Sequence, residues 1–225
     1  MNQTHAWITY GAGMVYIKKK RYEAGSDKFR ELLAAHPQYG DAIAQLGVIE
    51  RNQGRRDNAK RYIEKTLSQD PENKIANYQF GLFHLENREY VDAADHFSRV
   101  LKADPSHTCA MIQLAIVAGR NGDFKKAETL VNDAYDKDDK LTDAFAKLGW
   151  IKAEKQDWAG ALEIMDKDSC DGRISPAWKV NLAQLYGRNG EWDRAIELIE
   201  DAYGYNLYLK DAYSKLGWIK TEDQD

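Results

Sequence analysis

The chain has little of what marks several broad classes of protein. Only two of its 225 residues are cysteine, Cys109 and Cys170. They lie far apart in the sequence and cannot build a disulfide framework, which fits a reducing, cytoplasmic setting. No apolar run approaches the length needed to span a bilayer, so no membrane insertion is expected. The opening Met1–Trp7 has no basic segment followed by an apolar one, so no signal peptide is expected. The net charge is −4 with both signs interspersed. No basic stripe stands out, which argues against nucleic acid. Proline is scarce, with four in all. The chain is not short of hydrophobic residues: 43% are hydrophobic, including six Trp and thirteen Tyr, enough for a continuous core rather than disorder.

The few prolines are informative. Pro37, Pro71 and Pro105 are spaced by 34 residues. Independently, Gly119–Asp157 and Gly187–Asp225 align at an offset of 68, twice that spacing, with about half of their positions identical. A fixed period in this range signals a repeat architecture. Placing the prolines at position 32 starts units at Ala6, Gly40, Lys74, Thr108, Thr142, Pro176 and Lys210 with no insertion. Position 8 then carries Gly13, Gly47, Gly81, Ala115, Gly149, Ala183 and Gly217. Position 20 carries Gly25, Ala59, Ala93, Ala127, Ala161 and Ala195. Small residues recurring beside bulky ones let two helices approach closely. On the second helix, position 24 is expected to pack onto the core: Phe29, Ile63, Phe97, Val131, Met165 and Ile199.

This pattern resembles the tetratricopeptide repeat (TPR), a helix–turn–helix unit. The resemblance implies an all-α TPR superhelical solenoid. Residues 1–5 would be a tail, followed by repeats 6–39, 40–73, 74–107, 108–141, 142–175 and 176–209, and a terminal helix 210–225. Helix A of each unit is expected over about the first 14 positions. A turn follows, often at Gly54, Gly122 or Gly190, and helix B opens at Tyr22, Tyr90, Phe124, Trp158 or Trp192. Repeat 2 has Arg56 at that point, and repeat 1 has Lys20 where the turn glycine is expected. Repeat 5 places Asp168 where a small apolar residue belongs. An unpaired buried carboxylate is costly, so its helix B is expected to stop near there, with a loop over 169–175. The terminal helix keeps Leu216, Trp218 and Ile219 rather than a polar outer face, which favours a longer natural chain.

In the family, positions 2, 5, 9, 12 and 13 of helix A face a concave groove. Carried over, they give Trp7, Tyr10, Met14, Val48, Tyr78, Leu82, Ile112, Ile116, Trp150 and Trp218 as a candidate peptide-binding groove. Many family members put Asn or another polar residue at position 9, whereas six of seven are apolar here. That points to a protein or peptide partner, an amphipathic helix or an extended apolar segment. The alternative is that the winding itself covers these side chains. A clamp for a C-terminal carboxylate is not expected, because Tyr10, Met14, Gln45, Ile75 and Gln79 lack its charges. Lys18, Arg51, Glu86, Arg120, Glu154 and Arg188, which alternate in sign from Arg51 onward, read as a solvated rim.

No cofactor and no metal are expected. His84 and His96 fall on the two helices of repeat 3 and can meet, but solvated or capping histidines are the commoner outcome. Asp166, Asp168, Asp171 and Gly172 are out of step with a calcium loop, with Ala177 where a bidentate Glu is needed. Gly11-Ala-Gly13 lacks the strand and third glycine of a nucleotide fingerprint. No nucleophile stands in a catalytic context, so the chain is read as a non-enzymatic scaffold or adaptor. Two other readings stay open: a homo-oligomeric platform that self-associates through the solenoid ends, and the TPR region of a longer protein such as a transferase.

Overall fold

The computed structural model describes residues 3–138, 143–169 and 176–205. Among them every regular element is an α-helix. In the order of the repeats, the A and B helices are α1 (Gln3–Lys18) and α2 (Tyr22–Ala35), α3 (Gly40–Asn52) and α4 (Arg56–Gln69), and α5 (Lys74–Glu86) and α6 (Tyr90–Ala103). They continue with α7 (Thr108–Arg120) and α8 (Phe124–Lys137), α9 (Asp143–Ala153) and α10 (Trp158–Ser169), and α11 (Pro176–Arg188) and α12 (Trp192–Tyr205). The described residues divide into two compact units, one ending at Val117 and the other starting at Ala118. α1 starts three residues ahead of Ala6, so Gln3–His5 are helical rather than a tail. Cys170 and Trp218 lie outside the described residues.

Each helix A ends the same way. The residue at position 15 has positive φ in all six repeats: Gly54 (78°), Gly122 (89°) and Gly190 (82°), but also Lys20 (57°), Arg88 (63°) and Gln156 (62°). The amide at position 16 then donates back to the carbonyl at position 11, as in Arg55 N to Glu50 O at 2.9 Å and Glu89 N to His84 O at 2.8 Å. This is the left-handed helix stop that satisfies orphan carbonyls, and it places the side chains of positions 11 and 16 next to each other. A side chain at positive φ is strained where glycine is not. Arg88→Gly should therefore raise unfolding free energy by roughly 0.5–1 kcal/mol, and Gly54→Ala should lower it by a similar amount. Urea titration of the two variants checks both signs.

The spacing of small and large residues has the expected consequence. A Cβ built on Gly13 would fall 2.6 Å from the ring of Phe29; on Gly47, 2.7 Å from Ile63; on Gly81, 2.7 Å from Phe97. Position 8 of helix A thus rests on position 24 of its own helix B. Ala59, Ala93, Ala127, Ala161 and Ala195 are fully buried on the facing helix. Helix B then closes through an extended residue and a turn. His36, Asp70 and Asp104 donate back into their helices at 2.8 Å, and Tyr39, Asn73 and His107 reach those residues' carbonyls at 3.1 Å. Asn73 Oδ1 caps α5 by accepting from Ala76 N at 3.0 Å. α10 runs through Asp168 and ends at Ser169, two residues shorter than the other B helices that follow the same start. The expected loop from 170 to 175 lies outside the described residues.

Candidate functional site

In the first unit the A helices α1, α3, α5 and α7 carry eight of the ten candidate groove residues. Their environments differ. Trp7 is 71% exposed and Met14 is open to solvent, while Ile112 is only 7% exposed. Val48, Leu82 and Ile116 are half-buried. Position 9 is therefore apolar and incompletely covered on four successive A helices.

The two tyrosines at position 5 repeat one arrangement. The Tyr10 ring lies 5.6 Å from Phe29 and 5.7 Å from Tyr39, centroid to centroid. The Tyr78 ring lies 5.8 Å from Phe97 and 5.3 Å from His107. Each phenol meets a glutamine of the next repeat: Gln45 Nε2 donates to Tyr10 Oη at 3.3 Å, and Gln113 bonds Tyr78. Burial pushes both phenols above their ordinary range, with the glutamine pulling the other way. These rings are partly committed to joining helix A to helix B and to the turn before the next repeat. The sequence reading did not single out these glutamines as partners. The available signal was the recurrence of Gln45, Gln79 and Gln113 at position 6.

In the second unit Trp150 is half-buried and packs on the cluster containing Ala153, Ala161, Met165 and Leu182. Position 5 there is Ala146 in α9 and a buried Val180 in α11.

Four of the six rim charges pair from one repeat to the next. Arg51 Nη2 meets Glu86 Oε1 at 2.5 Å, and Arg56 Nη1 meets Glu86 Oε2 at 2.5 Å. The Arg56 guanidinium also covers the Phe83 ring at 5.1 Å. Arg120 and Glu154 form a forked pair. All are partly solvated, so each contributes little to stability, about 0–1 kcal/mol.

His84 and His96 do meet. Their rings are stacked, with centroids 5.3 Å apart and planes 8° from parallel, and Phe80 is edge-on to both. The buried Asn77 spends its amide N–H groups on Pro71 O and Asn73 O, at 2.8 and 3.0 Å. Its Oδ1 must accept, so His96 Nδ1, 2.9 Å away, donates to it. Burial first, then His84 and Arg99, push His96 below the ordinary imidazole value of 6.5, against weaker opposition from Asp95 and Asp92. The folded state then resists a proton that the unfolded chain accepts. The stability owed to this shift is complete above pH 6.5 and is lost as pH falls from there through the lower folded value. His96→Gln should flatten this part of the stability–pH curve. Urea midpoints between pH 5 and 8 check it.

No described helix is long and apolar enough to cross a membrane. An all-α array of helix–turn–helix units, each closed by the same helix stop and four of them showing the same small-on-large contact, defines a helical-repeat solenoid. Sequence models described as the tetratricopeptide repeat match residues 44–108, 84–151 and 177–204. The chain belongs to the tetratricopeptide repeat family. Among curated proteins it is 22% identical over 199 residues to the human protein O-mannosyl-transferase TMTC3, covering 86% of this chain and 22% of that one. It is 26% identical over 227 residues to the BBSome complex member BBS4 of Bos taurus, covering 100% of this chain and 43% of that one. The chain thus spans less than half the length of these relatives. Among solved structures it is similar to PilW, a type IV pilus biogenesis factor, with a TM-score of 0.77 at 17% identity over 96% of this chain and 99% of that one.

Proposed function

We propose that the chain is a non-enzymatic interaction scaffold whose A helices bind an apolar peptide or amphipathic helix of a partner protein. The observation that carries this reading is position 9. Met14, Val48, Leu82 and Ile116 follow one another on four A helices of the first unit and stay partly uncovered. Trp7 at position 2 and the open edges of Tyr10 and Tyr78 extend the same apolar strip. Large amphipathic rings beside an aliphatic row are the usual anchors of a bound helix or peptide. Trp150, and Trp218 beyond the described residues, belong to the same proposal in the later repeats. The free, exposed thiol of Cys109 supports a reducing, cytoplasmic setting.

The test uses Leu82→Asn together with Ile116→Asn, which introduces the polar side chain common at this position in the family. Both residues are only half-buried, so the fold should survive, as read by circular dichroism. A partner retained on the immobilised chain should be lost from the double variant, and a peptide mapped from it should bind at least about tenfold more weakly. Equal retention by both would move binding to another surface.

One observation favours self-association as a second reading. Positions 3 and 10 are buried in the next three repeats, as Ala42 and Ile49, Ala76 and Phe83, and Ala110 and Val117. In repeat 1 the same positions, Ile8 and Val15, are exposed. Sedimentation of the chain beside Ile8→Lys tests this. A mass that rises with concentration in the parent alone supports an oligomeric platform.

A further inference from the structure

The helix stop at position 15 brings positions 11, 16 and 19 of a repeat together, whatever residues stand there. Repeat 2 fills them with Glu50, Arg55 and Asn58. Arg55 donates to Glu50 through Nε at 2.6 Å and Nη2 at 3.0 Å, and Asn58 Nδ2 donates to the same carboxylate at 3.0 Å. Arg55 holds Glu50 below the usual carboxylate range. Repeat 5 has Lys152 and Asp157 at positions 11 and 16, 3.4 Å apart. In both repeats a side-chain cation neutralises the acid.

Repeat 3 puts His84, Glu89 and Asp92 at these three positions. His84 Nδ1 lies 2.6 Å from Glu89 Oε2, and one ligand atom from each of the three residues lies within 4.8 Å of the others. Neither Glu89 nor Asp92 pairs with a lysine or arginine among the described residues. Glu89 stands at the N-cap position of α6, but its side chain makes no capping bond. The equivalent Asp123 and Asp157 accept from the backbone amides of Lys126 and Gly160. The Glu89 side chain is instead directed to the imidazole. An imidazole and two carboxylates are a ligand set for a borderline divalent ion. Ligands of one zinc ion stand about 3–4 Å apart at bond lengths near 2.1 Å. At 2.6 Å the His84–Glu89 contact is a hydrogen bond, and it widens to that separation when an ion replaces the shared proton, while the exposed Asp92 swings in from within 4.8 Å. His84 is oriented by the stacked His96 and the edge of Phe80, the kind of support that keeps a metal ligand in place.

We infer that His84, Glu89 and Asp92 form a binding site for a divalent transition ion of the Zn²⁺ class, which supplies the cation that Arg55 and Lys152 supply in repeats 2 and 5. Water completes the coordination. His96, tied to Asn77, supports the site from beneath and is not a ligand.

The experiment titrates the untagged full chain with Zn²⁺ alone against a chromophoric chelator at pH 7.5, and follows Co²⁺ by its visible absorption. One equivalent should bind. Glu89→Gln and Asp92→Asn change exposed side chains without touching the core, and each should weaken binding by about tenfold or more. His5→Ala should leave the affinity unchanged. Added Zn²⁺ should raise Tm in the parent and not in the Glu89→Gln, Asp92→Asn double variant. Absence of saturable binding overturns the inference. Affinity unchanged in that double variant, with circular dichroism showing both chains folded, overturns it equally and places the bound ion elsewhere.

Discussion

Replacing Gly81 with leucine should destabilise the chain by roughly 3 kcal/mol or more, the upper end of what overpacking does in a dense core. Three atoms of the Phe97 ring stand 2.7–2.9 Å from where a Cβ would be. Phe97 has no solvent exposure and cannot swing aside. Leucine adds three further carbons in that direction. Urea unfolding followed by far-UV circular dichroism should show a much lower midpoint. Because repeats contact only their neighbours, the loss should appear first in α5 and α6, and hydrogen exchange can read that locally. Gly149→Leu should also destabilise, but less. Its Cβ meets the side chain of Met165, an unbranched residue that can change rotamer, although the carbonyl of Ala161 limits the room.

Phe97→Ala should lower stability by about 3–5 kcal/mol, through lost burial and the cavity left between α5 and α6. The ring supports Tyr78 as well as Gly81, so the truncation also removes an aromatic contact. Phe29→Ala in repeat 1 should act similarly, since it holds the same position against Gly13 and Tyr10. The decisive comparison is the double variant. If Gly81→Leu acts through a clash with Phe97, the leucine should harm the Phe97→Ala background far less than the parent, since it can occupy the vacated space. Interaction energies of this kind reach about 3 kcal/mol for residues in contact. Strict additivity would mean that positions 8 and 24 are not packing partners.

How much of this could be read from the residues varies from place to place. Helix B begins at Tyr22, Arg56, Tyr90, Phe124, Trp158 and Trp192, as the 34-residue period predicts, including at Arg56, where the aromatic is missing. The period dominates there because each unit's backbone is held by its neighbours' packing rather than by one residue's propensity. Gly54, Gly122 and Gly190 announced the turn. Lys20, Arg88 and Gln156 adopt the same positive φ without any local signal, because the flanking helices impose it. The tyrosines show the opposite limit. Tyr10 and Tyr78 stand at groove positions in the sequence, yet a long ring at position 5 also reaches positions 24 and 34 and is half consumed there. The charge clusters at positions 11, 16 and 19 could not be seen as a motif at all. Glu-Arg-Asn in one repeat and His-Glu-Asp in the next share no residue at matching positions, only a turn that folds their side chains together.

By itself, then, the sequence determined the all-α repeat fold, the phase of every described helix B and the recurrence of small residues at position 8 and of core-facing apolar ones at position 24. Each of these follows from spacing, and spacing survives any choice of neighbours. The tertiary structure alone decided which groove residues keep an open face, which rim charges pair across repeats, and that His84, Glu89 and Asp92 converge. Those outcomes depend on distances of a few ångströms between side chains on different helices, which are set by how the helices pack and not by where the residues fall in the chain.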